Sequence, residues 1–448
     1  MFGGFLLRLF FVRRHAFLAG DSILYQDIAQ NWLHEHVYGL STDTAPRPTL
    51  IRVPGYPAIL ATLAWAFDRF LQADPGTLRS FLPVFWVQIA ADLGTCWLAA
   101  AIAFHMYGRR AALAALALGC VCPFTANYVA VPLTETFTLF FLCLTFYLLQ
   151  RWIAKPSHTH AAAVALALAC SILLRPDQGL LTLPVLLVFF RLPGGWRKGL
   201  SSAMLCMVLT AVPFVPWTIR NLHTFQVLQP LASRLAIDPG EQAPTGFQYW
   251  FRTWGLDFSS TQDAYWKYPE ETVLVADLPL RAFDSVAERA AATALLAAAG
   301  NSHLLEPSIE EGFAALAARR ARKHPLRTHV LLPSGRLLNM LLHPRTEMLP
   351  IAERWWQYRA HPGQSLFAWS YAALNFFYLA VAAAGFVLLR RSPWQSRLLA
   401  TSMAAYLLLR CALLMTLDNA EQRYTLEFFP VLFVFAAALW QQKAAAEG

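Results

Sequence analysis

Asp21 is the carboxylate best placed for chemistry: Gly20-Asp21-Ser22-Ile23-Leu24-Tyr25 follows directly on the first apolar stretch. Tyr25, Ile28 and Trp32 share its helical face. The spacing leaves two roles open, a base at a lipid surface or the N-cap of a helix, because aspartate at a helix start satisfies free amides. Other polar groups recur at the edges of apolar runs. They are Arg52-Val53-Pro54-Gly55-Tyr56-Pro57, Thr134-Glu135, Arg175-Pro176-Asp177, Pro216-Trp217-Thr218-Ile219-Arg220-Asn221, and Asp418 through Arg423-Tyr424. Interface anchoring would explain each alone. Together they suit group transfer from a lipid phosphate. The guanidinium forks of Arg175, Arg220 and Arg423 match phosphate oxygens, and a carboxylate can take the proton of an attacking hydroxyl as phosphate departs. Tyr25, Trp250 and Trp254 offer faces on which a sugar can stack. Asp92 lies inside an apolar run, where a carboxylate is costly, so it either pairs or lines a cavity.

The elements that hold these groups are membrane helices. The 448 residues are 57% hydrophobic and only 14% charged, against about 25% charge in soluble domains, a deficit that lipid solvation explains. Apolar runs lie near 81–105, 111–127, 134–153, 160–175, 177–192, 199–219, 366–389, 398–417 and 424–441. With the apolar N-terminus, which reads as short or as beginning upstream of Met1, they make about ten spans. The runs 160–175 and 177–192 are short and are expected to be tilted or sheltered.

The net charge of +9 does not point to nucleic acid. Arg109-Arg110, Arg151 to Lys155, Arg191 to Lys198, Arg390 to Arg397 and the tail with Lys443 hold 11 basic residues against one acid, Glu447. By the positive-inside rule these segments are cytoplasmic, with both termini inside. The segments 20–78, 128–134, 220–365 and 418–423 then lie outside, with Asp21 and its companions. Within 20–78, Tyr56 to Leu71 reads as an interfacial helix. The chain divides into an N-terminal membrane module (1–219, with the first external loop 20–78), a large external loop (220–365) and a C-terminal membrane module (366–448). The large loop carries 15 basic and 14 acidic residues. It turns helical over 285–299 and 308–323, the second helix with Ser308 as N-cap and Glu311 at the box position. The seven cysteines fall in or beside apolar runs and predict no disulfides. No Walker-type loop, His-Glu-x-x-His or paired-cysteine zinc motif is present.

These motifs, in their order and sidedness, resemble the GT-C superfamily of membrane glycosyltransferases, in the branch of protein O-mannosyltransferases and aminoarabinose lipid A transferases. The resemblance covers roughly 1–225 and 366–441. It implies an all-α polytopic GT-C helix bundle with interfacial helices and a mostly helical external loop domain. It further implies an inverting transferase in a bacterial plasma membrane, moving a sugar from a polyprenyl-phosphate donor to a protein, lipid or glycan acceptor. By resemblance Asp21 is the general base and Arg220 and Arg423 are donor-phosphate contacts. Tyr25, Arg52, Tyr56, Arg175 and Tyr424 join the substrate-binding set, and Glu135 positions the acceptor or a divalent cation, although no side-chain set demands one. Many relatives carry an acidic pair where this chain has Asp21-Ser22. Two other readings fit many spans plus a large loop: an O-antigen ligase or polymerase using pyrophosphate-linked donors, with its base in that loop, and a lipid or sugar flippase, with polar groups along a whole transmembrane path.

Overall fold

The computed structural model describes residues 1–71, 74–191, 196–233, 235–352, 354–389 and 392–441. Arg390, Arg391 and Lys443, which enter the charge map above, lie outside the described residues. The chain opens with α1 (Phe2–His15) and α2 (Gly20–His34). A short antiparallel pair follows, β1 (Gly39–Leu40) with β2 (Arg47–Pro48), before α3 (Gly55–Leu71). Gly55 has a steric reason: a Cβ there would collide with the Leu173 carbonyl, so glycine lets α3 start hard against a neighbouring helix.

The N-terminal bundle continues through α4 (Leu82–Tyr107), α5 (Arg109–Val121), α6 (Pro123–Tyr128), α7 (Glu135–Ala154) and α8 (His158–Leu174), then α9 (Thr182–Arg191), α10 (Trp196–Ala211) and α11 (Phe214–Phe225). Helix α4 is central, packing against α5 and α7. It stops at Gly108, whose φ of 90° few other residues tolerate. Asp92, mid-way along α4, is paired. Arg8 of α1 meets its Oδ2 at 2.6 Å, and the same guanidinium donates to the carbonyls of Gly4, Gly119 and Cys120. A buried carboxylate and a buried arginine thus pin α1 to α4 and α5, the satisfied arrangement that a charge in a lipid-facing bundle requires.

The segment between the bundle halves builds its own core from α12 (Thr245–Arg252), the single turn α13 (Phe258–Ser260), α14 (Val286–Ser302) and α15 (Pro307–Lys323), with α16 (Leu332–Leu342) leading back to the bundle. Trp250 and Trp254 are fully buried there against Phe247, Phe251 and Phe313, so they fill a core and present no face to a sugar. Ser285 caps α14, accepting from the Glu288 amide. Ser308 is no cap: Pro307, preorganised for a first helical position, already lies inside α15. The bundle is completed by α17 (Pro362–Leu388), α18 (Trp394–Leu414) and α19 (Phe429–Ala437), α19 packing on α4, α5 and α17.

Against about ten apolar runs, five described helices are long and apolar enough to cross a membrane: α4, α7, α17, α18 and the stretch Gln422–Trp440 around α19. The pair α10 and α11, bent by 42° at Val212-Pro213, would make a sixth. The difference has a physical cause. Proline ends or splits several runs, at Pro123 after α5, Pro176 after α8 and Pro213 after α10. The short helix α8 is sheltered between α7 and α10.

Candidate active site

Three backbone devices converge at one end of the bundle. Asp21 sits in the first turn of α2 and caps nothing, since the N-cap position is Ala19 and makes no side-chain cap. Its carboxylate is gripped from two sides: Arg52 Nη2 lies 3.0 Å from Oδ1 and Arg423 Nη1 lies 3.1 Å from Oδ2. Arg52 comes from the segment between β2 and α3. Arg423 comes from the 3-10 turn Gln422–Phe428 that leads into α19. The third device is Pro176, which forces the residue before it out of helical conformation. Arg175 is accordingly extended (φ −146°, ψ 119°) and leaves the end of α8 toward the same space.

The space is an open cavity of about 320 Å³, lined by Asp21, Tyr25, Arg52, Glu135, Arg175, Arg423 and Tyr424 among others. The Asp21 side chain remains 29% exposed, so a substrate can reach it. Tyr25 packs edge-on against Tyr56, ring centroids 4.9 Å apart. Tyr56 is itself fully buried and supports Tyr25 from behind, outside the cavity lining.

Arg175 is the most heavily engaged group. Glu135 lies at 3.1 Å, Asp177 at 3.3 Å and Glu427 at 3.5 Å. Arg410 of α18 shares two of these acids, meeting Asp177 at 2.6 Å and Glu427 at 2.9 Å. Gln178 and Tyr406 also donate to Glu427. Arg175 is therefore locked in a charge network. Arg423 is oriented by Glu421, 2.5 Å from its Nε, and its Nη2 has no hydrogen-bond partner in the protein among the described residues.

Arg220 is not in this cavity. It donates to the Tyr38 carbonyl at 2.6 Å and to the Thr49 carbonyl at 2.8 Å, with its guanidinium over the rings of Tyr38, Trp217 and Phe225. Its fork is engaged by backbone carbonyls. What it does is fasten the strand pair whose continuation carries Arg52, helped by the Tyr38 hydroxyl donating to the Arg52 carbonyl at 3.0 Å.

A second cavity, of about 380 Å³, shares Asp21 and Arg423 with the first and extends to Glu347, Glu421, Phe258 and Trp266. Trp266 is half exposed and offers the aromatic face that Trp250 and Trp254 do not. Sequence reasoning missed Glu347, Glu427 and Arg410. For Arg410 and Glu427 the signal was present, as charges inside apolar runs; Glu347 stands in a loop with nothing to mark it. Glu347 accepts from the Tyr128 hydroxyl at 2.9 Å, and its other oxygen is buried without a partner among the described residues. Burial pushes its carboxyl above the ordinary value despite Arg345 nearby. Asp21 goes the other way: burial would raise it, but Arg423 and Arg52 together hold it below the ordinary aspartate value. Two carboxyls on one cavity are thus pushed apart.

Both Asp21 oxygens are held by guanidinium groups and Glu135 by Arg175, and among the described residues no group of three or more His, Cys, Asp or Glu is placed to hold a metal ion.

Residues 77–219 match the dolichyl-phosphate-mannose-protein mannosyltransferase family. No curated protein sequence matches the chain significantly. The structure superposes on the oligosaccharyltransferase of Archaeoglobus fulgidus, tethered to an acceptor peptide with an NVT sequon, over 97% of this chain and 48% of that one, at 12% identity and a TM-score of 0.50. The same enzyme in complex with zinc and sulfate gives 0.51 at 11% identity, again over 97% and 48%. This is the GT-C fold. The chain spans about half the length of the archaeal oligosaccharyltransferase. ArnT from Cupriavidus metallidurans bound to undecaprenyl phosphate aligns more loosely, over 98% of this chain and 76% of that one, with 13% identity and a TM-score of 0.39. An all-helical GT-C bundle explains why the polar groups gather at one end, where helices are interrupted and backbone turns project side chains into open space.

Proposed function

We propose that the chain is an inverting glycosyltransferase that moves a sugar from a polyprenyl-phosphate donor to an acceptor hydroxyl at the outer face of a membrane. The single observation that carries this reading is the Arg52–Asp21–Arg423 clamp standing between two cavities. The first cavity, rich in arginine, takes the donor phosphate. The second, with acids and an aromatic face, takes the acceptor. Solved relatives with this fold support the reading by their names, one an oligosaccharyltransferase with an acceptor peptide.

The chemistry follows from the geometry. The donor phosphate, carrying negative charge, competes with Asp21 for Arg423 and Arg52, and Arg423 Nη2 is ready to receive it. As the guanidinium groups turn toward phosphate, Asp21 loses the neighbours that depress its basicity. The acceptor oxygen attacks the anomeric carbon from the second cavity, and its proton passes to Asp21. The bond from that carbon to the phosphate oxygen breaks, its electron pair staying with the polyprenyl phosphate, whose charge the arginines stabilise. Attack and departure on opposite sides of the sugar invert the anomeric centre.

The test is transfer of labelled sugar from polyprenyl-phosphate donors in proteoliposomes. Wild-type protein should transfer and Asp21→Asn should not. Equal transfer by a well-folded Asp21→Asn protein would remove Asp21 from the chemistry. Transfer only from pyrophosphate-linked donors would favour the ligase or polymerase reading.

A further inference from the structure

The end of the bundle opposite Asp21 holds a third cavity, of about 390 Å³, between the C-terminal ends of α4 and α7 and the N-terminal ends of α8 and α18. Arg151 lies about 24 Å along α7 from Glu135 at the usual helical rise, so the two sites stand at opposite ends of a membrane-spanning helix. The cavity is basic. Arg151, Lys155, His105 and His160 line it, and among the described residues no carboxylate does. One ring is held in place, His160 Nδ1 lying 2.9 Å from the Lys155 carbonyl and 3.0 Å from Ser157 Oγ.

The second observation is Gln150. It lies in the cavity wall and is only 9% exposed. Its Nε2 donates to the Ile102 carbonyl at 3.1 Å, while its Oε1 is buried with no partner among the described residues. A buried acceptor left unmet costs about 1–3 kcal/mol. The site therefore gathers cationic side chains beside a buried acceptor that no described residue meets. The loop charge rule accounts for basic residues at this end but not for an orphaned buried amide oxygen in the wall of a cavity.

We infer that this cavity binds a glycerophosphate head group, with the phosphate on Arg151 and Lys155 and the glycerol hydroxyls beside the Gln150 side chain. Basic pockets between transmembrane helices suit anionic lipid head groups, and an apolar wall including Ile153 and Leu399 accommodates the adjoining acyl region. The same chemistry could arrive as phosphatidylglycerol from the bilayer or as soluble glycerol 3-phosphate. The site is independent of the transferase reading, since none of its residues belongs to the Asp21 cavities.

The experiment uses the full chain in detergent, with binding followed by native mass spectrometry and by thermal unfolding. The probes are phosphatidylglycerol, phosphatidylcholine and glycerol 3-phosphate. Wild type is compared with Arg151→Gln/Lys155→Gln and with Arg109→Gln/Arg110→Gln, which removes an exposed basic pair at the same end outside the cavity. Phosphatidylglycerol should bind at least tenfold more tightly than phosphatidylcholine. That preference should fall at least tenfold in Arg151→Gln/Lys155→Gln and survive in Arg109→Gln/Arg110→Gln. Binding of glycerol 3-phosphate with the same Arg151 and Lys155 dependence would support the site with a soluble source. Equal binding of the two lipids, or equal losses in both double variants, would overturn the inference, and so would phosphatidylglycerol binding unchanged in Arg151→Gln/Lys155→Gln. Both variants alter exposed side chains, and unfolding without ligand verifies that they fold.

Discussion

Replacing Arg220 by alanine separates two roles that one arginine near a phosphate site could have. In the structure its two terminal nitrogens donate to the carbonyls of Tyr38 and Thr49 at 2.6 and 2.8 Å. Hydrogen bonds from charged donors contribute about 1.5–3 kcal/mol each, and a cation over aromatic rings at a partly exposed site about 0.5–1 kcal/mol. Water re-satisfies part of what is lost, because Arg220 is only half-buried. A net weakening of the 38–52 segment by about 2 kcal/mol is reasonable, which raises its open population about 30-fold. Hydrogen exchange reads this directly. The Thr49 amide donates to the Tyr38 carbonyl and the Leu50 amide to Asp238, so both should exchange about 30-fold faster in Arg220→Ala. Transfer should fall together with that loosening, since Arg52 is no longer held in place for the donor phosphate. Unchanged exchange at Thr49 and Leu50, together with a raised donor KM, would refute the positioning role and return Arg220 to the phosphate.

Three further outcomes follow from particular contacts. Asp92→Asn leaves Arg8 buried without its counter-charge and should destabilise the protein by about 3–5 kcal/mol, read as a lower unfolding midpoint; Arg8→Met with Asp92→Leu should recover most of the loss. Gly55→Ala drives a methyl into the Leu173 carbonyl and should cost about 1–3 kcal/mol, whereas Gly179→Ala, with open space around its Cβ position, should leave the midpoint nearly unchanged. The third concerns pH. Asp21 is held below the ordinary aspartate value, so its ionised form persists as pH falls through the range where free carboxylates protonate. The acid limb of kcat/KM should therefore lie below about 4, and Arg52→Gln should move it upward; an acid limb near 6 that Arg52→Gln leaves in place would assign it to another group.

Much of the candidate site was legible because charge in a lipid-solvated chain is scarce and therefore informative. Asp21, Arg52, Glu135, Arg175, Arg423 and Tyr424 stand at the ends of apolar runs, and the fold brings all six to one cavity. Arg220 stands at the end of a run too. Which way its side chain turns depends on the aromatic nest of Tyr38, Trp217 and Phe225, contributed by residues far apart in sequence. Trp250 and Trp254 resemble sugar platforms by type alone, and only packing against Phe313, about sixty residues away, shows them to be core. The helical architecture was readable from hydropathy, but the lengths of individual helices were not. Apolar composition persists through Pro123, Pro176 and Pro213 while the helices do not. Those interruptions matter for function, since the break at Pro176 is what sends Arg175 into the cavity.

The most direct measurement is a paired one on Asp21→Asn: donor binding at equilibrium and single-turnover transfer in the same preparation. Asparagine keeps the size of the side chain and removes the base. Donor affinity should stay within a few-fold of wild type, or rise as Arg52 and Arg423 are freed for phosphate, while transfer falls by about 100-fold or more. Transfer at the wild-type rate with the donor normally bound would contradict the assignment of Asp21 as the group that takes the proton.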